Sequence, residues 1–122
     1  MTDPRHELGL RAEAAVADWL TLQGWRILDR RWRSLAGELD LVCLAPGDVL
    51  VGVEVKLRRT GRAGTGAESM DRRRISRLRA ALAGYATVHA PAHRGIRLDL
   101  VTVAPARDGR WRLLRVPGVD AW

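Results

Sequence analysis

Lys56 is the only lysine among 21 cationic side chains, and it lies two residues after Glu54 inside the apolar run Val49-Leu50-Val51-Gly52-Val53-Glu54-Val55-Lys56-Leu57. An ammonium is compact, carries three rotatable donors and has a pKa that burial lowers; a planar guanidinium reproduces none of these properties. A lone amine kept beside a carboxylate in the most apolar segment of an arginine-rich chain therefore points to chemistry. Side chains alternate across a strand, so Glu54 and Lys56 share one face while Val53, Val55 and Leu57 take the other. By the same rule Glu38 and Asp40 share a face of the preceding apolar segment. A hairpin through Pro46-Gly47-Asp48 lays the two segments side by side, which brings Asp40 near Glu54. Gly52, on the face of Glu54, is expected to leave room above the sheet for a ligand or a close backbone.

Carboxylates crowded on a partly buried sheet face repel each other and lose hydration unless they are protonated, paired with a cation or bound to a metal. Mg²⁺ suits such a site, because it takes a few carboxylate oxygens, keeps several waters and bridges to substrate phosphate without His or Cys ligands. The expected protein ligands are Asp40, Glu54 and the carbonyl of Val55, with Glu13 adding another directly or through water. A metal there would polarise a phosphodiester and lower the pKa of bound water, while Lys56 positions that water or stabilises developing negative charge. The reaction read from these residues is phosphodiester hydrolysis, with catalytic residues Asp40, Glu54, Lys56 and Glu13 and with Mg²⁺, or Mn²⁺ in its place, as cofactor. Taken singly, each residue has a plainer reading: Glu54 and Lys56 as an ion pair, Glu38 and Asp40 bonded to arginines of the first strand. Charged groups on both of two adjacent central strands carry a large desolvation cost for weak net stability, which favours the functional reading.

The elements that must position these residues follow from periodicity. Apolar residues Leu8, Ala12, Ala15, Val16, Trp19, Leu20 and Leu22 recur at helical spacing from about Glu7 to Gln23, and Gly24 supplies a stop. They cover an arc of roughly 40° to 200°, and Glu13 falls at roughly 220°, on the rim of the buried face. Strands are predicted over Trp25–Trp32, Glu38–Leu44 and Val49–Leu57, joined by short turns that favour an antiparallel meander. A basic, glycine-rich loop from Arg58 to Gly66 follows, and then a second helix from about Glu68 to Ala86 with Ile75, Leu78, Leu82 and Tyr85 facing inward. Strands Ile96–Val103 and Trp111–Val116 complete the order α-β-β-β-α-β-β.

With 122 residues and 47% hydrophobic content, residues 1–122 are expected to form one domain. No apolar run approaches the roughly 20 residues of a membrane span, and the N-terminal segment does not read as a secretory signal, so a soluble, cytoplasmic protein is expected. Cys43 is alone, which excludes an internal disulfide and a cysteine-based zinc cluster. A net charge of +7 and a pI near 11.3 favour polyanionic partners, nucleic acid first among them. Arg58, Arg59 and Arg62 on the loop, with Arg72 and Arg73 at the second helix, are the expected phosphate contacts, and they give affinity with little sequence specificity. Core packing is the favoured role of Trp25, Trp32 and Trp111, with stacking on unpaired bases as the alternative.

Glu38-Leu39-Asp40-Leu41-Val42 followed by Val53-Glu54-Val55-Lys56 has the form of the PD-(D/E)xK nuclease signature. Together with Gly9 and Glu13, Gly24-Trp25, Gly37-Glu38-Leu39-Asp40 and Arg97-Leu98-Asp99-Leu100-Val101, these landmarks resemble the YraN family of small bacterial proteins along nearly the whole chain. The resemblance implies a restriction-endonuclease-like α/β fold, a three-layer α/β/α arrangement with a mixed central sheet, and kinship to archaeal Holliday junction resolvases. It also implies a metal site built from Glu13, Asp40, Glu54 and Lys56. Ala12 stands where the family usually has glycine, and Arg74 where lysine is common. The reading is thus a Mg²⁺-dependent nuclease acting on DNA, branched or single-stranded forms included, with a homodimer compatible. The alternative is a non-catalytic nucleic-acid-binding or protein-interaction module on the same fold.

Overall fold

A computed structural model describes residues 3–58 and 70–121. Helix α1 (Pro4–Leu22) opens on Asp3, whose carboxylate caps Arg5 N–H at 3.0 Å, with proline at the first helical position where its missing donor is harmless. It ends where Gly24 adopts φ +89°, as the glycine stop predicts. Strands β1 (Arg26–Arg33), β2 (Glu38–Ala45) and β3 (Val49–Leu57) pair antiparallel in sequence. The β2–β3 turn is tight, with Gly47 at φ +88° and Asp48 at φ +63°. Helix α2 (Arg72–His89) starts at Asp71, which caps Arg74 N–H at 2.8 Å. Strand β4 (Ile96–Pro105) then returns parallel to β3, and β5 (Trp111–Val116) pairs antiparallel with β4. The sheet runs β1-β2-β3-β4-β5 and is mixed, in the predicted element order.

The strand period sorts the core into two layers. Leu41, Cys43, Val51, Val53, Val101 and Val103 pack with Ala12, Val16 and Leu20 of α1. Val42, Leu50, Leu98 and Leu100 pack with Leu78, Leu82 and Tyr85 of α2. One helix therefore covers each face, giving three layers. The inward positions expected for α2 are the observed ones, with Ile75 half-buried at the margin. The expected start at about Glu68 is corrected to Arg72, because Asp71 is extended and caps the helix; Glu68 itself lies outside the described residues.

A polar knot ties the C-terminal segment down. Asp99, with 0% exposure, accepts from Arg97 Nε at 2.7 Å and Nη2 at 2.9 Å, from Arg115 Nη1 at 3.0 Å and from Gly118 N–H at 3.0 Å. The two guanidinium groups lie over the Trp25 ring at 6.0 and 5.2 Å from its centroid. Asp120, in the short 3-10 turn Val119–Ala121, accepts from Leu98 N–H at 3.1 Å and pairs with Arg79 of α2. Trp25 is thus a core residue. Trp32 sits edge-on to Tyr85 at 5.3 Å, and Trp111 packs on the α1-side core, so packing explains all three tryptophans.

Candidate functional site

The site lies where β2 and β3 stop pairing. Their register runs from Ala45↔Val49 to Leu41↔Val53, and the next step would set Asp40 opposite Glu54. The backbone ladder ends there. The Asp40 carboxylate takes its place, with Oδ2 accepting from Val55 N–H at 2.8 Å. Strand alternation also slips at this point. Leu41 and Cys43 belong to the α1 layer, yet both Leu39 and Val42 belong to the α2 layer, so strict period two fails between Leu39 and Val42. On β1, Arg31 stands between Arg30, paired with Leu41, and Trp32, paired with Leu39, and adopts φ +49°. A left-handed non-glycine residue costs of order 1 kcal/mol and persists only where its surroundings impose it. Plain alternation therefore does not carry from Leu39 through to Val42.

Asp40 and Glu54 lie close enough for the charge of one to act directly on the other. Burial first, and the Glu54 charge second, push the Asp40 carboxyl up from 3.8 to about 8, against the lowering effect of the Val55 N–H. Glu13, from the rim of α1, feels the same field. Its carboxyl is raised by burial, lowered by Arg31, and raised again by Glu38 and Glu54. It acts on the pair at longer range, since no three His, Cys, Asp or Glu side chains among the described residues stand close enough to hold one ion.

Glu54 is held by Arg74, a residue that sequence reasoning did not place at the site. Arg74 Nη2 donates to Glu54 Oε1 at 2.6 Å from the first turn of α2, with Glu54 only 12% exposed and Arg74 46%. An ion pair between Glu54 and Lys56 is not formed; Lys56 is exposed and makes no ion pair among the described residues. Glu38 pairs with Arg33 of β1 at 3.0 Å, as the plainer reading allowed. The room expected over Gly52 is absent: a Cβ there would meet Leu39 and Leu98 at 3.1 Å and Leu82 at 3.5 Å, so the glycine serves core packing. Of the expected phosphate contacts, Arg72 and Arg73 are exposed at the start of α2. Arg58 is half-buried and extends the ladder by donating its N–H to Val103 O at 2.7 Å. Arg59 and Arg62, with the loop carrying them, lie outside the described residues.

The donor set suits a hard divalent cation. Two adjacent carboxylates match the one or two that Mg²⁺ takes while keeping its waters. The Arg74 guanidinium shows that Glu54 accepts a cation in this position. The residues therefore fit such an ion as a two-carboxylate site.

A mixed five-stranded sheet between two helices, with carboxylates paired where two strands part, defines an α/β protein with an acidic site at one end of its sheet. The chain belongs to the uncharacterised protein family UPF0102, the YraN family, which matches it over residues 12–103. That span includes Glu13, Asp40, Glu54 and Lys56. It is similar to a UPF0102 protein of Anaeromyxobacter dehalogenans, 41% identical over 115 residues, covering 94% of this chain and 84% of that protein. A UPF0102 protein of Mycolicibacterium vanbaalenii is 40% identical over 116 residues, covering 94% and 92%. One from Moorella thermoacetica is 41% identical over 110 residues, covering 90% and 91%. Among solved structures, Pyrococcus furiosus SfsA in complex with Ca²⁺ aligns over 91% of this chain with a TM-score of 0.35 and 15% identity, and this chain spans 62% of that protein's length. Likeness at that level transfers nothing from that protein. No helix among the described residues is long and apolar enough to cross a membrane.

Proposed function

We propose that this chain is a divalent-metal-dependent nuclease that hydrolyses phosphodiester bonds in nucleic acid, DNA foremost. The observation that carries this reading is the Asp40 carboxyl, seated on Val55 N–H beside Glu54 and pushed up to about 8 by burial and by its neighbour's charge. Two acids crowded this closely, at the frayed end of a β-ladder, are unfavourable for folding alone. A cation relieves them.

Asp40, Glu54 and the Val55 carbonyl are the residues that would hold Mg²⁺ or Mn²⁺. Bound there, the ion would supply Lewis acidity toward a phosphate oxygen and lower the pKa of a coordinated water. The Val55 N–H fixes the Asp40 carboxylate, so no side-chain freedom is lost on ligation. Lys56, exposed just beyond Glu54, offers an ammonium to developing negative charge on the phosphate or to the attacking water. Glu13 keeps the field negative from α1. Arg72 and Arg73 meet the backbone of the bound strand.

A second reading, a nucleic-acid-binding module without catalysis, draws on Arg74, which already neutralises Glu54 at 2.6 Å. Rigorously purified protein tested against branched, duplex and single-stranded DNAs separates the two. The nuclease reading expects cleavage with Mg²⁺ or Mn²⁺ and its loss, by about 100-fold or more, in Asp40→Asn and Lys56→Ala. Cleavage unchanged by both substitutions overturns the site. Wild-type protein that cuts nothing yet binds DNA with a steep salt dependence establishes the binding module instead.

A further inference from the structure

The turn joining β1 to β2, beside the acidic site, carries a fully exposed apolar side chain. Leu35 is 110% exposed, the extreme of the large hydrophobic residues among those described. Its backbone is nevertheless tightly held. Ser34 N–H donates to Gly37 O at 2.9 Å, Gly37 N–H returns to Ser34 O at 3.3 Å, and the Ser34 hydroxyl accepts from Ala36 N–H at 3.1 Å. A knob on a fixed turn has already lost the conformational freedom that binding would otherwise remove.

Between this turn and α2 runs a groove of about 310 Å³, walled by Ala36 and Gly37 on one side and by Arg74 and Arg77 on the other, with Leu78 lining it. A Cβ at Gly37 would come within 4.0 Å of the Arg77 carbonyl, so the turn leans directly on the helix. Glu38, also on the groove, is already paired with Arg33. Arg77 is exposed and has no ion-pair partner among the described residues. Arg74 spans the distance from the groove to Glu54. An arginine without an ion-pair partner among the described residues and a second arginine reaching the acidic pair thus share one channel, and the turn that walls it carries Leu35 one residue before Ala36.

We propose that this groove seats a nucleic-acid strand with an unstacked base, its phosphate on Arg77 and Arg74 and its base against Leu35. A smooth duplex presents phosphates and sugars on its outside and keeps its bases stacked, so an apolar knob gains nothing from it. Apolar side chains act on nucleic acid where base steps are open or can be opened. The preferred partner is therefore a junction, flap or single strand. The inference rests on the nuclease reading for its choice of partner and deepens it, but it concerns binding and is tested without metal.

The test is fluorescence anisotropy of the full chain in EDTA with a four-way DNA junction, a single strand and a plain duplex. Arg77→Ala should weaken all three by about tenfold and shrink the salt slope by about one phosphate contact. Leu35→Ala should weaken junction and single strand by about three- to tenfold and leave the duplex unchanged, with Leu35→Met restoring affinity. Arg107→Ala, which removes the same charge from the β4–β5 turn, should stay within about twofold of wild type. Both side chains are exposed, so unchanged unfolding temperatures confirm that folding is intact. Equal losses on duplex and junction for Leu35→Ala, no loss for Arg77→Ala, or equal losses for Arg107→Ala and Arg77→Ala would each overturn the groove. Absent cleavage with these binding effects intact counts against the nuclease reading alone.

Discussion

Asp40 stands at the end of the β2–β3 ladder and fastens itself to the backbone of the partner strand, accepting from Val55 N–H at 2.8 Å. Its carboxyl replaces a main-chain acceptor, so the strands can part without orphaning the donor, and the gap is lined with oxygen. Charge, strain and strand geometry meet at this point.

The first consequence concerns pH. The Asp40 carboxyl is raised from 3.8 to about 8 in the folded chain. Between these values the unfolded chain releases its proton while the native one keeps it, so stability falls as pH rises and levels off above about 8. Metal-free protein should unfold about 5 °C or more lower at pH 8 than at pH 5, by scanning fluorimetry in EDTA. Asp40→Asn should flatten most of that slope. A stability that climbs over the same range contradicts it.

Arg74 competes with any metal for Glu54. Removing it should free the carboxylate, and Arg74→Ala should bind Mn²⁺ about three- to tenfold more tightly in calorimetric titration. Weaker binding would mean that Arg74 orders Glu54 for the ion.

Asp99 is a structural anchor. Asp99→Ala leaves Arg97 and Arg115 without their carboxylate and Gly118 N–H without its acceptor. The expected loss is about 3–5 kcal/mol in urea unfolding. A loss below about 1 kcal/mol would show that the knot is dispensable.

Much of the fold was legible because its period is clean: apolar alternation in β2, β3 and β4, the i, i+3, i+4 stripe of α2, and turns marked by Gly24, Pro46 and Gly47. The approach of Asp40 to Glu54 followed from the length of the β2–β3 hairpin. What period two could not reveal is its own failure near Asp40, since nothing in the residue type of Arg31 announces a left-handed backbone. Arg74 was equally hidden. Its reach to Glu54 depends on where α2 crosses the sheet after the β3–α2 connection, which no local pattern encodes. Asp71, three residues before Arg74, was a readable cap signal for the true start of the helix. Gly52 was misread because a glycine that makes room for a ligand and one that makes room for leucines look alike in sequence.

Cys43 gives a check on the core. Burial pushes its thiol up to about 12, with the Asp99 charge adding to the effect. It should therefore resist disulfide-exchange reagents at pH 8 in the native protein and react as one thiol after denaturation. Rapid labelling of the folded chain would show that the α1-side core opens.

The most direct test is a crystal structure of the protein grown or soaked with Mn²⁺ and phased for its anomalous signal. We expect a cation contacting both Asp40 and Glu54, with oxygens at about 2.1–2.2 Å, a little longer than those of Mg²⁺, and with Arg74 withdrawn from Glu54. No anomalous peak between these carboxylates at saturating Mn²⁺, with Arg74 still seated on Glu54, would contradict it.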